Sequence, residues 1–448
     1  MSLALKALGN LLPRGSLNAL TTRFSASLAQ SAPLKSTITN GSPTDMVETP
    51  QIANVECIDA KKQLKVTWDN DVLASYAYVW LRDNCTEPHT CVSTDLSWGR
   101  TMLFKDLDPN VKPITIDSTS DGVSITWPGD KQSYFTSSWL LKRNVSDPAL
   151  CAAREKIYLE NCRQPWTVEQ LNSVWEVFDW NEMFADDYTM LRALEFLNTW
   201  GLMLTKNVPC KTGQVNRFGD ELGFVKQTNY GTCFQVIALD NSNNLAYTTL
   251  ELGPHTDLPY YEEMPGIQAF HCIQSTGVTN GGESHYVDIA NVAEQIRRDH
   301  PDHFEVLTTT PLEYVDDVEE KGKRYRLVAR RPVIELNSAG QFQFGSWDHQ
   351  QRSWFIPGTP ERVQQVYNAM FTFHEYYSKP ENVFKHKLKN GEFVFIDNKR
   401  VMHARSAFTN EPGSKRHLEG IFYTWDAVRS KIRALRQKLN IAEEPPLI

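Results

Sequence analysis

The chain of 448 residues carries 46 Lys and Arg against 54 Asp and Glu, a formal charge of -8, with 41% hydrophobic residues and 11 histidines. That acidic balance argues against a general nucleic-acid binder, and no window offers the roughly 18 uninterrupted apolar residues of a membrane-spanning helix. The length suits two or three globular domains working on a small-molecule partner.

The first 44 residues contain no Asp or Glu, while Lys6, Arg14, Arg23 and Lys35 stand among seven serines. This is the composition of a mitochondrial transit peptide and predicts a matrix protein, the alternatives being a disordered tail and a cytoplasmic location. Eight cysteines spread over the whole chain are too sparse for a disulfide scaffold, so they are read as reduced thiols.

Structure begins near Val55. Leu64, Val66 and Trp68 alternate with polar residues, and Tyr76, Tyr78 and Trp80 repeat the pattern after the turn Asp69-Asn70-Asp71. Val123, Ile125 and Trp127 restart it before Pro128-Gly129-Asp130 and Tyr134-Phe135. A small β-rich N-terminal domain of two similar hairpins is expected over residues 55–142, with a polar linker over 143–187.

A larger domain is expected over 180–440. Leu191, Leu194 and Leu197 recur at helical spacing up to Gly201, where Leu202-Met203-Leu204 turns strand-like, and a short helix is expected over 213–222. Strand patterns follow at 235–238, 245–249, 267–273, 285–288, 325–329, 342–344 and 392–396, interrupted by an amphipathic helix over 360–377 and closed by a basic helix over 427–439. Many short strands with sparse helices predict a mostly β fold with some α, a double-stranded β-helix or jelly-roll barrel. The terminal helix is expected to pack on the domain or to contribute to a dimer interface.

His255 and Asp257 stand two residues apart where a strand pattern meets a loop, and side chains at that spacing on a strand share a face. His300-Pro301-Asp302 has the same spacing but sits in the polar run 297–303, where a solvated helix end is the simpler reading. His403, 146 residues beyond Asp257 and just past the 392–396 strand, is the candidate third ligand. Two histidines and one carboxylate with open positions suit non-haem Fe(II), zinc being the competing ion. Arg416, 13 residues after His403, leads into another strand and is placed to hold the distal carboxylate of a five-carbon diacid through its guanidinium fork.

Around these residues stand Val79-Trp-Leu-Arg-Asp-Asn-Cys85, Ile125-Thr-Trp-Pro128, Asn244-Leu-Ala-Tyr-Thr-Thr249, Phe270-His-Cys-Ile273, Gly281-Gly282, Phe395-Ile-Asp-Asn398 and Arg416-His-Leu-Glu-Gly420. With that set the chain resembles the γ-butyrobetaine dioxygenases and their trimethyllysine dioxygenase cousins over about residues 55–440. The resemblance implies a double-stranded β-helix catalytic domain behind a small N-terminal domain, often as a homodimer. It implies iron on His255, Asp257 and His403, 2-oxoglutarate on Arg416, O2 as a further substrate and ascorbate as a helper. It also implies an aromatic cage for a trimethylammonium group at Tyr230, Phe234, Tyr247 and Phe422, with Asn244 on the substrate carboxylate. Phe stands at 234 and 422 where the butyrobetaine pattern has Trp and Tyr, and the acid of Trp347-Asp348 is closer to the trimethyllysine type. The expectation is therefore hydroxylation of γ-butyrobetaine to L-carnitine. The alternatives are trimethyllysine hydroxylation and a non-catalytic paralogue that only binds.

The same resemblance implies a zinc site in the N-terminal domain. Cys85 and Cys91 match two ligand positions, but His89 stands in the gap where a third cysteine is missing, and Lys131 falls where the family's histidine would be. A protonated lysine cannot ligate zinc, so the expectation is no zinc or a degenerate site.

Overall fold

Two antiparallel meanders open the protein, here a computed structural model describing residues 50–93, 98–156, 163–237 and 249–441. One joins Ile52–Ile58, Gln63–Trp68 and Leu73–Ala77, the other Thr115–Ser118, Gly122–Trp127 and Lys131–Thr136, so each expected hairpin gains a third strand. Alternation buries Leu64, Val66 and Trp68 of the first against Val123, Ile125 and Trp127 of the second in one core. The indole N–H groups of Trp68 and Trp127 donate to Ser137 and Ser133, each at 2.8 Å, which satisfies the polar edge of rings that carry most of that core.

The strand pattern expected to run through Tyr78 and Trp80 stops at Ala77, and Tyr78–Asp83 is a helix. Tyr78 and Leu81, three apart, are the buried pair, which is helical spacing. Residues 143–187 are structured where described, not a plain linker. Helices Pro148–Lys156, Val168–Val174 and Trp180–Ala185 occupy them. The second starts with a capping box between Thr167 and Gln170, a local signal readable from the sequence, and fully buried Trp166 and Trp180 anchor the segment.

Beyond lies a mixed α and β region. A six-stranded sheet runs in the order Cys233–Ile237, Phe408–Tyr423, Ile267–Gly281, Phe393–Asp397, Leu202–Lys206 and Val177–Asp179, and a four-stranded sheet in the order Leu252–His255, Val401–Arg405, Ser284–Asp288 and Phe384–His386. Pairing is antiparallel apart from the edge strand Val177–Asp179. The strand Phe393–Asp397 shows the layering: Phe393 and Phe395 pack on helices, while Val394 and Ile396 face the core shared by the two sheets.

Helices Asp187–Trp200, Gln214–Leu222 and Trp425–Lys438 cover the outer face of the larger sheet; Ile289–Asp299, Pro301–Thr309 and Pro360–Tyr377 contribute to a separate core. Gly201 ends its helix at φ 71°, a left-handed stop that lets Leu202–Lys206 begin at once. The expected strand at 245–249 lies within 238–248, outside the described residues but for Thr249, and residues 1–44 lie outside them too.

Candidate active site

The edge strand Leu252–His255 ends on its histidine, which pairs in register with His403 on the neighbouring strand Val401–Arg405. Antiparallel pairing thus brings together two histidines 148 positions apart in sequence, setting their imidazole centroids 4.2 Å apart. Asp257 follows in the loop, whose conformation is fixed one residue earlier: the Thr256 N–H donates to the Trp347 carbonyl at 2.7 Å, and the Trp347 N–H donates back to the Thr256 hydroxyl at 3.1 Å. The Asp257 Oδ1 lies 3.2 Å from His255 Nε2 and 3.7 Å from His403 Nε2.

One donor atom from each of His255, Asp257 and His403 lies within 4.8 Å of the other two, the only such trio of His, Cys, Asp or Glu groups among the described residues. His255 Nδ1 is 2.8 Å from the Gly253 carbonyl, an arrangement in which an Nδ1–H leaves the Nε2 lone pair facing the trio's centre. Burial opposes protonation of His255, yet the bonded Asp257 carboxylate outweighs it and raises its pKa. Burial and the neighbouring His255 push His403 down, keeping that imidazole neutral. Burial raises Asp257, but the two histidines hold it below the usual carboxylate range. Beside Asp257, the fully buried side chain of Gln268 bonds the carboxylate and helps to hold it low. The donor set and its surroundings therefore fit a 2-His-1-carboxylate metal centre.

A cavity of about 140 Å³ opens over the trio between the two sheets. Three expected cage residues, Tyr230, Phe234 and Phe422, line it, with Phe234 5.5 Å from Phe422 and 6.0 Å from Tyr230 between centroids. Asn244 and Tyr247 lie outside the described residues. Tyr260 completes the wall, its hydroxyl 3.5 Å from that of Tyr230. Phe234 and Phe422 meet because Gly420, opposite Phe234 in the strand register, has no side chain: a Cβ there would collide with the Phe234 ring.

Arg416 lines the same cavity, and burial lowers its pKa. So does Arg405, which sequence reasoning missed; burial and then the Arg416 charge bring it down to about 10. Its signal was available, because it lies two residues after His403 on one strand and so shares its face. Asp348 lines the cavity as well, with Oδ1 accepting the Gln350 and Gln351 N–H groups at 2.8 and 3.2 Å; burial raises its pKa despite the favourable charge of His255.

Elsewhere, His300 sits at the junction of two helices with Asp302 largely exposed, as expected of a solvated helix end. Cys85, His89 and Cys91 do not bring three donors within 4.8 Å. The Cys85 thiol instead lies 3.4 Å from the Glu87 N–H and 3.8 Å from the Gln132 carbonyl. Burial and then the charges of Arg82 and Lys131 hold His89 low. These residues do not fit a closed four-ligand zinc site.

Residues 167–422 match the model of the taurine catabolism dioxygenase TauD, TfdA family, and residues 55–141 match that of the gamma-butyrobetaine hydroxylase-like N-terminal domain. The chain is 31% identical over 392 residues to the gamma-butyrobetaine dioxygenase of Homo sapiens, covering 87% of this chain and 98% of that one. It is 28% identical over 375 residues to the gamma-butyrobetaine dioxygenase of Pseudomonas sp. strain AK-1, with 84% and 94% covered. To the mitochondrial trimethyllysine dioxygenase of Homo sapiens it is 27% identical over 394 residues, with 84% and 89% covered.

Proposed function

The chain belongs to the TauD, TfdA family of dioxygenases, alongside the γ-butyrobetaine and trimethyllysine enzymes, and on that premise we propose that it is an Fe(II)- and 2-oxoglutarate-dependent dioxygenase hydroxylating a trimethylammonium acid in carnitine synthesis. The observation that carries this is one cavity shared by the His255, Asp257 and His403 donors, a guanidinium at Arg416 and an aromatic wall of Tyr230, Phe234, Tyr260 and Phe422. Facing sheets around that cavity support a double-stranded β-helix as the architecture.

When bound, Fe(II), 2-oxoglutarate and O2 supply the oxidising chemistry, which yields succinate, CO2 and a hydroxylated product. The chain's own share is geometric. His255, Asp257 and His403 would hold the metal by one face, leaving the opposite positions to small molecules. Arg416 would fix the distal end of the cosubstrate. The aromatic faces would hold a quaternary ammonium, which has no N–H to donate, each contributing roughly 0.5 to 2 kcal/mol. Together they fix which substrate carbon faces the metal and keep bulk water out.

γ-Butyrobetaine is the first substrate to test. Asp348 favours a second, trimethyllysine, because a buried carboxylate in the cavity wall is best satisfied by a substrate that brings an ammonium donor. Purified protein with Fe(II) and ascorbate should form succinate from 2-oxoglutarate faster when either compound is added; absence of stimulation by any trimethylammonium acid refutes the substrate class. The acid-free N-terminus supports a mitochondrial address, testable by fractionating cells that express the full-length chain. A homodimer is the expected state, to be read by light scattering.

A further inference from the structure

One long hairpin stands apart from both larger sheets. Its strands Leu312–Glu320 and Lys323–Arg331 pair with each other in an unbroken register and join neither of those sheets, and Lys321 and Gly322 turn between them at φ 52° and 74°. Cross-strand pairs of Asp317 with Arg324 at 2.6 Å and of Glu313 with Arg330 at 2.8 Å link the strands, but their arginines are exposed and such pairs contribute little. A two-stranded ribbon roughly 30 Å long is marginal alone, so its place is decided by what it docks on.

It docks on the loops that make the cavity wall. At its base, the buried Arg331 donates to the Tyr261 and Glu262 carbonyls, in the loop that carries Asp257 and Tyr260. Along its first strand, the Val315 N–H donates to the Gln351 carbonyl at 2.9 Å and the Glu313 carbonyl accepts the Ser353 N–H at 2.7 Å, on the loop after Asp348. Between these, the Tyr260 hydroxyl donates to the Asp316 carboxylate, and the same hydroxyl lies 3.5 Å from that of Tyr230. At the tip, Lys321 Nζ donates to the Tyr230 carbonyl at 2.9 Å. Tyr230, Tyr260, Asp348 and Gln351 all line the cavity over the donor trio, whereas Arg416 enters it from the six-stranded sheet, which the hairpin does not join. A shift of the hairpin would therefore move the aromatic wall and leave the Arg416 strand in place.

We propose that the hairpin over 312–331 is a strap that closes the substrate side of the cavity, with Lys321 its latch, and that a trimethylammonium compound seated against Tyr230 and Tyr260 tightens it. The proposal rests on the dioxygenase reading above. Lys321 is a positioning residue: it holds the backbone of a wall residue and touches no reacting atom. The coupling is reciprocal, so the factor by which a seated cation favours the docked strap is the factor by which docking favours the cation.

The test uses the full-length chain loaded with Mn(II) and 2-oxoglutarate without O2, titrated with γ-butyrobetaine and separately with trimethyllysine. Affinity is read by calorimetry and docking by amide hydrogen exchange. In wild type, saturation with the compound that binds should slow exchange over 312–331 several-fold and leave the terminal helix Trp425–Lys438 unchanged. Lys321→Met, which keeps the stem and loses the donor, should weaken that compound roughly three- to tenfold and speed exchange in the hairpin, with 2-oxoglutarate affinity of the Mn(II) form unchanged. Lys321→Arg, which restores a donor, should recover most of both. Hairpin exchange that ignores a bound compound, a Lys321→Met variant equal to wild type, or one that loses affinity for 2-oxoglutarate and the trimethylammonium compound alike each overturns the strap. A wild type that binds neither compound overturns the trimethylammonium reading itself and the strap with it.

Discussion

Asn398 grips the peptide of Asp257 from both sides: its amide oxygen accepts the Asp257 N–H at 2.7 Å and its amide nitrogen donates to the Asp257 carbonyl at 2.8 Å. The same nitrogen donates to the Pro265 carbonyl at 3.2 Å, and Asn398 is fully buried. The carboxylate donor thus sits on a loop whose backbone is clamped to the turn after Phe393–Asp397, so its position is set by the sheet and not by loop statistics. Asn398→Asp preserves shape but loses one donor and adds a negative charge. We expect Fe(II) or Mn(II) affinity to fall by roughly 10- to 100-fold, measured by metal titration with thermal melting as the control for folding.

Metal itself should stabilise the fold. An ion bound by the native trio and not by the unfolded chain raises the melting temperature with its concentration, and a chelator reverses the rise. His255→Ala and His403→Ala should lose both the shift and turnover. His300→Ala should keep both, since His300 stacks on His303 at a helix junction; loss of activity there would show that the wrong histidine–aspartate pair had been chosen.

The cavity wall depends on a glycine. Gly420→Ala would drive the Phe234 ring out of its place, so the KM for a trimethylammonium substrate should rise several-fold, while binding of 2-oxoglutarate at Arg416, four residues away and partnered with Ser275, stays close to wild type. Phe234→Trp should act in the opposite direction if the wider ring is accommodated, because indole is the strongest cation–π face. Steady-state kinetics with the two ligands varied separately distinguishes these effects.

Stability rests heavily on one buried ion pair. Arg400 donates through Nε and Nη2 to the two oxygens of Asp288 at 3.0 and 2.8 Å, and both side chains have no solvent exposure. The same guanidinium reaches the Thr199 and Gln164 carbonyls, and Asp288 accepts the Trp166 N–H at 2.9 Å, so one pair joins four segments. Asp288→Ala strands a buried cation and should cost about 3 to 5 kcal/mol in denaturant unfolding, whereas replacing both partners by apolar residues should cost less.

His271 should make the protein acid-labile. Burial, then the charge of His417, lowers its pKa from the usual value of 6.5 to about 4, and neither ring nitrogen has a hydrogen-bond partner among the described residues. The unfolded chain therefore binds this proton first. Stability from the neutral ring is complete above about 6.5 and is lost as pH falls from there towards 4. His271→Gln, which does not titrate, should flatten the dependence of unfolding free energy on pH across that window.

Local patterns were legible in the sequence because they are encoded by neighbours a few residues apart. The helix over 360–377 appears as Pro360–Tyr377, the stop at Gly201 holds, and the two-residue spacing of His255 and Asp257 already marked a ligand pair. The same local reasoning misjudged Tyr78–Asp83 and the segment after Arg143, where burial of Tyr78, Leu81, Trp166 and Trp180 overrides a strand-like or polar surface pattern. Strand register was beyond its reach. Antiparallel pairing sets His403 beside His255 and carries Arg405 into the cavity that Arg416 enters from the other sheet. Such contacts join residues far apart in the chain, and only the packing of two sheets, where a one-residue slip would turn each of these side chains away, decides them.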